Sequence, residues 1–136
     1  MVCHQILVPR QVSAEILVRG QNDVTAKTLT DEIWLKIVDL HSIPPGIIEW
    51  GLGQGETSVI ALGINSGKLP VIIDDYAGRK CALSHGLSVS GTLGIILRAK
   101  KQSYIPLARP VLEEFLIHGL YLSRATMDRA LALVGE

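Results

Sequence analysis

Short apolar runs alternate with amphipathic stretches along the whole chain, and this alternation limits the folds that the chain can adopt. The runs that we interpret as strands lie at residues 6–8, 34–38, 70–73 and 87–89. Because they are short and apolar throughout, they are typical of strands buried on both faces of a parallel sheet. The sequence therefore predicts an α/β protein in which an open parallel sheet is sandwiched by helices.

Turn residues and apolar spacing predict the helices between these strands. Pro9 can occupy the first turn of a helix that continues to about residue 18. The pattern over residues 23–30 is ambiguous, and a short helix is our interpretation. Gly86 is placed to follow the C-cap of its helix. The remaining helices are predicted at residues 55–66, 77–85, 92–101, 109–118 and 123–134.

Length and composition are those of one folded domain. The chain has 136 residues, of which 48% are hydrophobic and 19% charged, which excludes a disordered chain and predicts a single domain over residues 1–136. Thirteen basic residues face thirteen acidic ones, so the whole chain lacks the basic excess that wrapping nucleic acid requires. Only 4% of the residues are aromatic, so platforms for stacking unpaired bases are scarce.

Cysteine usage and the absence of a signal sequence predict a cytoplasmic protein. Cys3 and Cys81 are the only cysteines, and their spacing does not favour a structural zinc site. We expect both thiols to behave as small apolar residues in a reducing compartment. No apolar stretch is long enough to span a bilayer, so no membrane association is expected.

Three acidic residues are the first candidates for chemistry. Asp74 and Asp75 directly follow an apolar strand, where one of them could bind a hard divalent cation. The alternative is that an aspartate caps the next helix. Glu56 begins a helix, where the helix dipole alone would favour its negative charge.

Basic and hydroxyl side chains are the second set of candidates. Arg98 and Lys101 are three residues apart on a predicted helix and share a face, from which they could contact phosphates. The alternative is that they form an ordinary solvated helix C-terminus, where cations suit the dipole. Thr92 follows the last predicted strand, and its hydroxyl could serve a site or cap the next helix.

Three motifs in this order resemble the PIN-domain family, in particular short prokaryotic PIN-like proteins related to VapC-type toxins. The motifs are GQGETSVIAL at residues 53–62, VIIDD at residues 71–75 and VSGTLGIILRAK at residues 89–100. Residues 6–9 and 122–136 fit the same branch, so the resemblance covers nearly the whole chain.

The resemblance implies a metal-dependent ribonuclease of the toxin type. In this family an acidic cluster binds Mg²⁺ or Mn²⁺, which activates water to cleave RNA phosphodiesters. Glu56 and Asp75 match metal-binding acids, Asp74 is a further catalytic candidate, and Thr92 matches a hydroxyl position near the site. RNA and an antitoxin-like protein are the partners that the resemblance implies.

The chain also departs from the family pattern. No acidic residue precedes Glu15, so the first metal ligand has no counterpart, and the position of a fourth acid is Ala77. The family's first strand is central in the sheet, so we expect an N-terminally truncated PIN-like domain. Three outcomes are open for the missing central strand. The two halves of the sheet pair directly, another protomer supplies the missing strand, or the gene is longer than this sequence. We favour a homo-oligomer, and the alternative function is a catalytically inactive interaction module.

Overall fold

The computed structural model describes residues 4–136 and confirms the α/β class. The strands are β1 (Ile6–Pro9), β2 (Leu35–Val38), β3 (Val71–Ile72) and β4 (Val89–Ser90). The helices are α1 (Arg10–Leu17), α2 (Val24–Asp31), α3 (Gln54–Asn65), α4 (Tyr76–Ser84), α5 (Thr92–Lys101), α6 (Arg109–Ile117) and α7 (Arg124–Ala132). None of the helices in this described part is long and apolar enough to cross a membrane.

The strands pair as two separate two-stranded sheets. β1 and β2 run parallel, with Ile6 opposite Leu35 and Pro9 opposite Val38, which confirms the predicted parallel pairing. β3 pairs with β4, and the N–H of Val71 donates to the carbonyl of Ser88 at 2.9 Å. Helix α3 packs against both β1 and β3. Within residues 4–136 no ladder joins the two sheets, so direct pairing of the half-sheets is not observed.

The chain divides into two compact units, with the boundary between Val89 and Ser90. We refer to the part before this boundary as the first unit and to Ser90–Glu136 as the second unit. The first unit contains α1–α4, and the second contains α5–α7. That the whole chain forms one domain stays a prediction.

The core of the first unit is built from α3, α4 and the β3–β4 region. Its fully buried side chains include Ile47, Ile60 and Cys81. Cys81 is packed as an apolar residue, as predicted, and burial raises the pKa of its thiol. Cys3 lies outside the described residues. The apolar character of Ile47, Ile48 and Trp50 predicts that the loop before α3 packs on the core. Ile47 is fully buried, as this predicts, but Ile48 is 71% exposed and Trp50 38% exposed, because they lie in a 3₁₀ turn (Ile48–Trp50) at the surface.

The second unit has its own core between its three helices. Leu112 of α6 and Leu131 of α7 are fully buried, and Ile96 of α5 packs with them. Helix α5 contacts both α6 and α7. The C-terminal residue Glu136 closes this arrangement, since its carboxylate accepts hydrogen bonds from the N–H groups of Ala108 and Arg109 at the start of α6.

Candidate functional site

The first turn of α3 has no side-chain cap, and two carboxylates lie against it. Its N-cap is Gly53, which has no side chain to accept the free N–H groups of the helix. Glu56, the third residue of α3, folds back over this glycine. A β carbon on Gly53 would lie 2.6 Å from Oε2 of Glu56, so this position of the carboxylate requires glycine. The candidate acid Glu56 is therefore half-buried at the start of the helix.

Glu15 of α1 supplies a second carboxylate to the same turn. Its Oε1 accepts the N–H of Gly55 at 3.1 Å across 40 residues of sequence. A β carbon on Gly55 would lie 2.7 Å from Oε2 of Glu15, so this contact also depends on a glycine. Glu15 belongs to no motif that would have assigned it a role. The signal was nevertheless present, because a helix that begins Gly-Gln-Gly needs an acceptor from elsewhere.

Asp75 is the N-cap of α4. Its Oδ2 accepts the N–H of Gly78 at 2.8 Å, and its backbone carbonyl accepts the N–H of Arg79. The capping alternative of the sequence analysis is therefore confirmed, with the helix beginning at Tyr76. A carboxylate has a second oxygen with lone pairs of its own, so the cap still leaves Asp75 able to bind a cation. Asp74 is exposed and precedes the cap.

Gly78 brings Glu56 and Asp75 to one place. A β carbon at this buried glycine would meet Cγ of Glu56 at 3.4 Å and Oδ2 of Asp75 at 3.5 Å. Ile73 Cγ2 would be 3.0 Å away. The two candidate acids, which are 19 positions apart in the sequence, thus border the same glycine. We refer to Glu56 and Asp75 as the acid pair.

The acid pair has the right donor chemistry for Mg²⁺ or Mn²⁺, but it is a minimal set. Over the described part of the chain, no group of three His, Cys, Asp or Glu side chains could hold a metal ion. Mg²⁺ keeps several waters and is commonly bound through one or two carboxylates together with substrate phosphates. Glu56 and Asp75 therefore fit a two-carboxylate site that phosphate oxygens and water would complete.

The predicted substrate-binding residues Thr92, Arg98 and Lys101 all belong to the second unit. Thr92 is the first residue of α5, and the N-cap is Gly91, so of the two alternatives for Thr92 the helix cap is wrong. Glycine can take the cap position because it adopts the extended backbone there at φ −106° and ψ 170°. Arg98 and Lys101 are exposed in the last turn, and the neighbouring Lys100 donates to the carbonyl of Pro106.

The chain as a whole is neutral, but its two units differ in net charge. The second unit carries six basic residues against four acidic ones, whereas residues 1–89 carry seven against nine. The acid pair therefore lies in an acidic unit, and the predicted phosphate contacts lie in a basic one. Such a basic excess is the electrostatic requirement for binding a nucleic-acid backbone.

A cleft of about 560 Å³ lies beside the carboxylate of Glu15 and the first residue of α3, Gln54. Its wall also includes Arg10 and Asp39, which form an exposed ion pair. Hydrogen bonding to Arg10 lowers the pKa of Asp39, and hydrogen bonding to Asp39 raises the pKa of Arg10. Two carboxylates and one guanidinium line the cleft, so its charge disfavours a phosphate.

These features define an α/β protein with a pair of carboxylates at the starts of two helices, Glu56 in the first turn of α3 and Asp75 at the N-cap of α4. A family model described as a PIN domain matches residues 2–136, and the chain therefore belongs to the PIN-domain family. This membership gives the chain a nuclease-type ancestry and indicates nucleic-acid binding. No curated protein and no solved structure matches the chain with significant similarity.

Proposed function

We propose that this protein binds RNA and cleaves its phosphodiester backbone with Mg²⁺ or Mn²⁺ held by Glu56 and Asp75. The observation that carries the proposal is that both acidic side chains border Gly78, with Cγ of Glu56 at 3.4 Å and Oδ2 of Asp75 at 3.5 Å from the position of a β carbon there. A divalent cation at such a pair supplies Lewis acidity and a water nucleophile of lowered pKa.

The chain's own residues have defined tasks in this proposal. Glu56 and Asp75 attract the cation; Glu56 lies against Gly53 and Gly78, and Asp75 is held by the hydrogen bond of the α4 cap. Asp74 adds negative charge beside the pair. Arg98 and Lys101 contact phosphates of the RNA, and Thr92 offers a hydroxyl at the start of α5. A toxin-type role in the cytoplasm, with an antitoxin-like partner, is the biological setting that we propose.

A titration with Mn²⁺, followed by calorimetry, tests the metal site. We expect saturable binding by the wild type and none by the double variant Glu56→Gln/Asp75→Asn. Asparagine caps helices as well as aspartate does, so this variant keeps the α4 cap and loses only charge. The double variant Glu113→Gln/Asp128→Asn in the second unit removes the same charge and should bind Mn²⁺ like the wild type.

Cleavage is then measured on labelled RNA with and without Mn²⁺. Cleavage that requires Mn²⁺ and disappears in Glu56→Gln/Asp75→Asn supports the enzyme. A pure wild-type protein that neither binds Mn²⁺ nor cleaves RNA overturns it.

The second candidate is a catalytically inactive interaction module that acts as a homo-oligomer or with an antitoxin-type partner. Three observations favour it. Among residues 4–136 no three metal-ligating side chains converge, and Glu15 is engaged by the backbone of Gly55. Ile33 and Val18, moreover, are 95% and 85% exposed. A stable dimer in sedimentation experiments, together with no affinity for metal or RNA, would support this function, and a monomer that binds RNA would contradict it.

A further inference from the structure

Every aromatic side chain of this protein lies at the surface. The chain has two Trp, three Tyr and one Phe, and all six are more than a third exposed. Aromatic rings bury large areas and usually dominate a core. Here the core of each unit is aliphatic, so the rings are free for another use.

Tyr76 is the aromatic residue that the chain places next to the acid pair. It is the first residue of α4, directly after the cap Asp75 and two positions before Gly78. Its side chain is 73% exposed, so its ring contributes little to the packing of the first unit. Tyr76 therefore directly follows Asp75 in the chain, and its ring is exposed at the start of the helix that contains Gly78.

Lys80 accompanies this ring one turn further along α4. Its Nζ lies 5.2 Å from the centroid of the Tyr76 ring, which is the geometry of a cation–π contact. The neighbouring Arg79 is turned to the other side, where its Nη1 donates to the carbonyl of Ile73 at 2.9 Å. Of these two basic side chains, Lys80 is thus the exposed one and remains beside the ring.

We propose that Tyr76 and Lys80 form a nucleotide subsite, with a base stacked on the Tyr76 ring and a flanking phosphate on Lys80. This inference rests on the proposed function and names the residues of the first unit that hold a nucleotide. A tyrosine ring stacks any base that has a free face, whereas bases inside a duplex are already stacked. The ammonium supplies positive charge for a phosphate in a unit whose acidic residues outnumber its basic ones.

Fluorescence anisotropy with a short labelled oligoribonucleotide, as a single strand and as a blunt duplex, tests the subsite. The measurements are made in EDTA so that they do not depend on a metal. Tyr76→Ala should weaken single-strand binding about 5- to 150-fold and leave duplex binding unchanged. Tyr76→Phe should bind like the wild type. Tyr121→Ala, at a tyrosine that is 93% exposed in the second unit, is the matched control and should have no effect.

The role of Lys80 has a separate readout. Lys80→Met should lower the slope of log affinity against log salt concentration by about 0.7 for the single strand. Lys80→Arg should restore the slope, and Lys27→Met on α2 should not change it.

Unchanged single-strand affinity of Tyr76→Ala would overturn the subsite, as would an equal loss of single-strand and duplex binding. If the wild type binds no Mn²⁺ but its single-strand affinity still depends on Tyr76, the metal site fails and the subsite stands. If Mn²⁺ binds and Tyr76→Ala has no effect, the subsite fails and the metal site stands.

Discussion

The carboxylate of Glu15 accepts the backbone N–H of Gly55 at 3.1 Å and thereby joins α1 to the first turn of α3. This hydrogen bond matters for the acid pair because Glu56 follows Gly55 directly. A helix end without a side-chain cap has N–H groups that need acceptors. Here the acceptor for one of these N–H groups is a side chain of another helix, α1. The position of Glu56 thus depends on a residue that is not itself in the pair.

A double-mutant cycle measures this contact. Glu15→Ala should lower the free energy of unfolding by about 1 kcal/mol, because the N–H of Gly55 loses its charged acceptor. In the wild type Gly55→Ala should change stability little, since its β carbon would displace the Glu15 carboxylate and the lost hydrogen bond offsets the helix propensity that alanine gains. In the Glu15→Ala background, where that carboxylate is gone, Gly55→Ala should instead stabilise by up to about 1 kcal/mol through helix propensity. Additive effects in urea unfolding would contradict the contact.

Gly78 and Gly94 occupy equivalent positions, since each is the third residue of its helix, α4 and α5 respectively. Substitutions at the two positions can therefore be compared. A β carbon on Gly94 meets nothing within 4 Å, so Gly94→Ala should stabilise the protein by about 0.5–1 kcal/mol. Gly78→Ala should lose that gain and destabilise by about 1 kcal/mol, because Ile73 lies 3.0 Å from the new atom. Equal effects of the two substitutions in chemical denaturation would refute the close packing.

Asp75 has a capping role that can be separated from its charge. Asp75→Ala should destabilise the protein by about 0.5–2 kcal/mol, because the N–H of Gly78 loses its acceptor. Asp75→Asn keeps an acceptor at that place and should unfold close to the wild type while losing Mn²⁺ affinity. Thermal unfolding and Mn²⁺ calorimetry on the two variants make the comparison. An Asn variant as unstable as the Ala variant would argue against a simple cap.

Glu136 makes the second unit sensitive to acid. Hydrogen bonds from the N–H of Ala108, and then of Arg109, lower the pKa of its carboxyl below the ordinary 4.5. Since the folded state favours the ionised form, its contribution to stability is present above the ordinary pKa and is lost as the pH falls through the lowered one.

Glu136→Gln keeps an acceptor but cannot ionise, so it isolates this effect. The wild type should exceed the variant in unfolding midpoint at neutral pH, and the difference should disappear at a pH below the lowered pKa. A difference that is independent of pH would mean that packing, and not ionisation, is lost in the variant.

Local sequence signals predicted most of the helices and strands of this protein. The apolar run at residues 70–73, followed by Asp74 and Asp75, predicted both a strand and the helix after it, because an apolar run and a helix cap act over a few residues. Gly86 ends α4 with a left-handed φ of 78°, as predicted for the residue after a C-cap. Even the ambiguous residues 23–30 form a helix, α2, which Asp23 caps.

Long-range relationships escaped the sequence analysis. The bond between Glu15 and Gly55 joins residues 40 positions apart, and no periodicity encodes such a contact. The meeting of Glu56 and Asp75 at Gly78 was suggested by a family resemblance, whereas their distances follow only from the packing of α3 on α4. The outward position of Trp50 was missed, since an apolar ring in a loop is normally assigned to the core.

The exposure of all six aromatic rings has a spectroscopic consequence. Trp34 and Trp50 are both half-exposed in the first unit, so their emission should be red-shifted and readily quenched by acrylamide even in the folded protein. Near-ultraviolet circular dichroism should be weak for the same reason, although the cores are well packed. Unfolding is therefore followed through the far-ultraviolet signal of the helices, whereas a change in tryptophan fluorescence reports an event on the surface of the first unit.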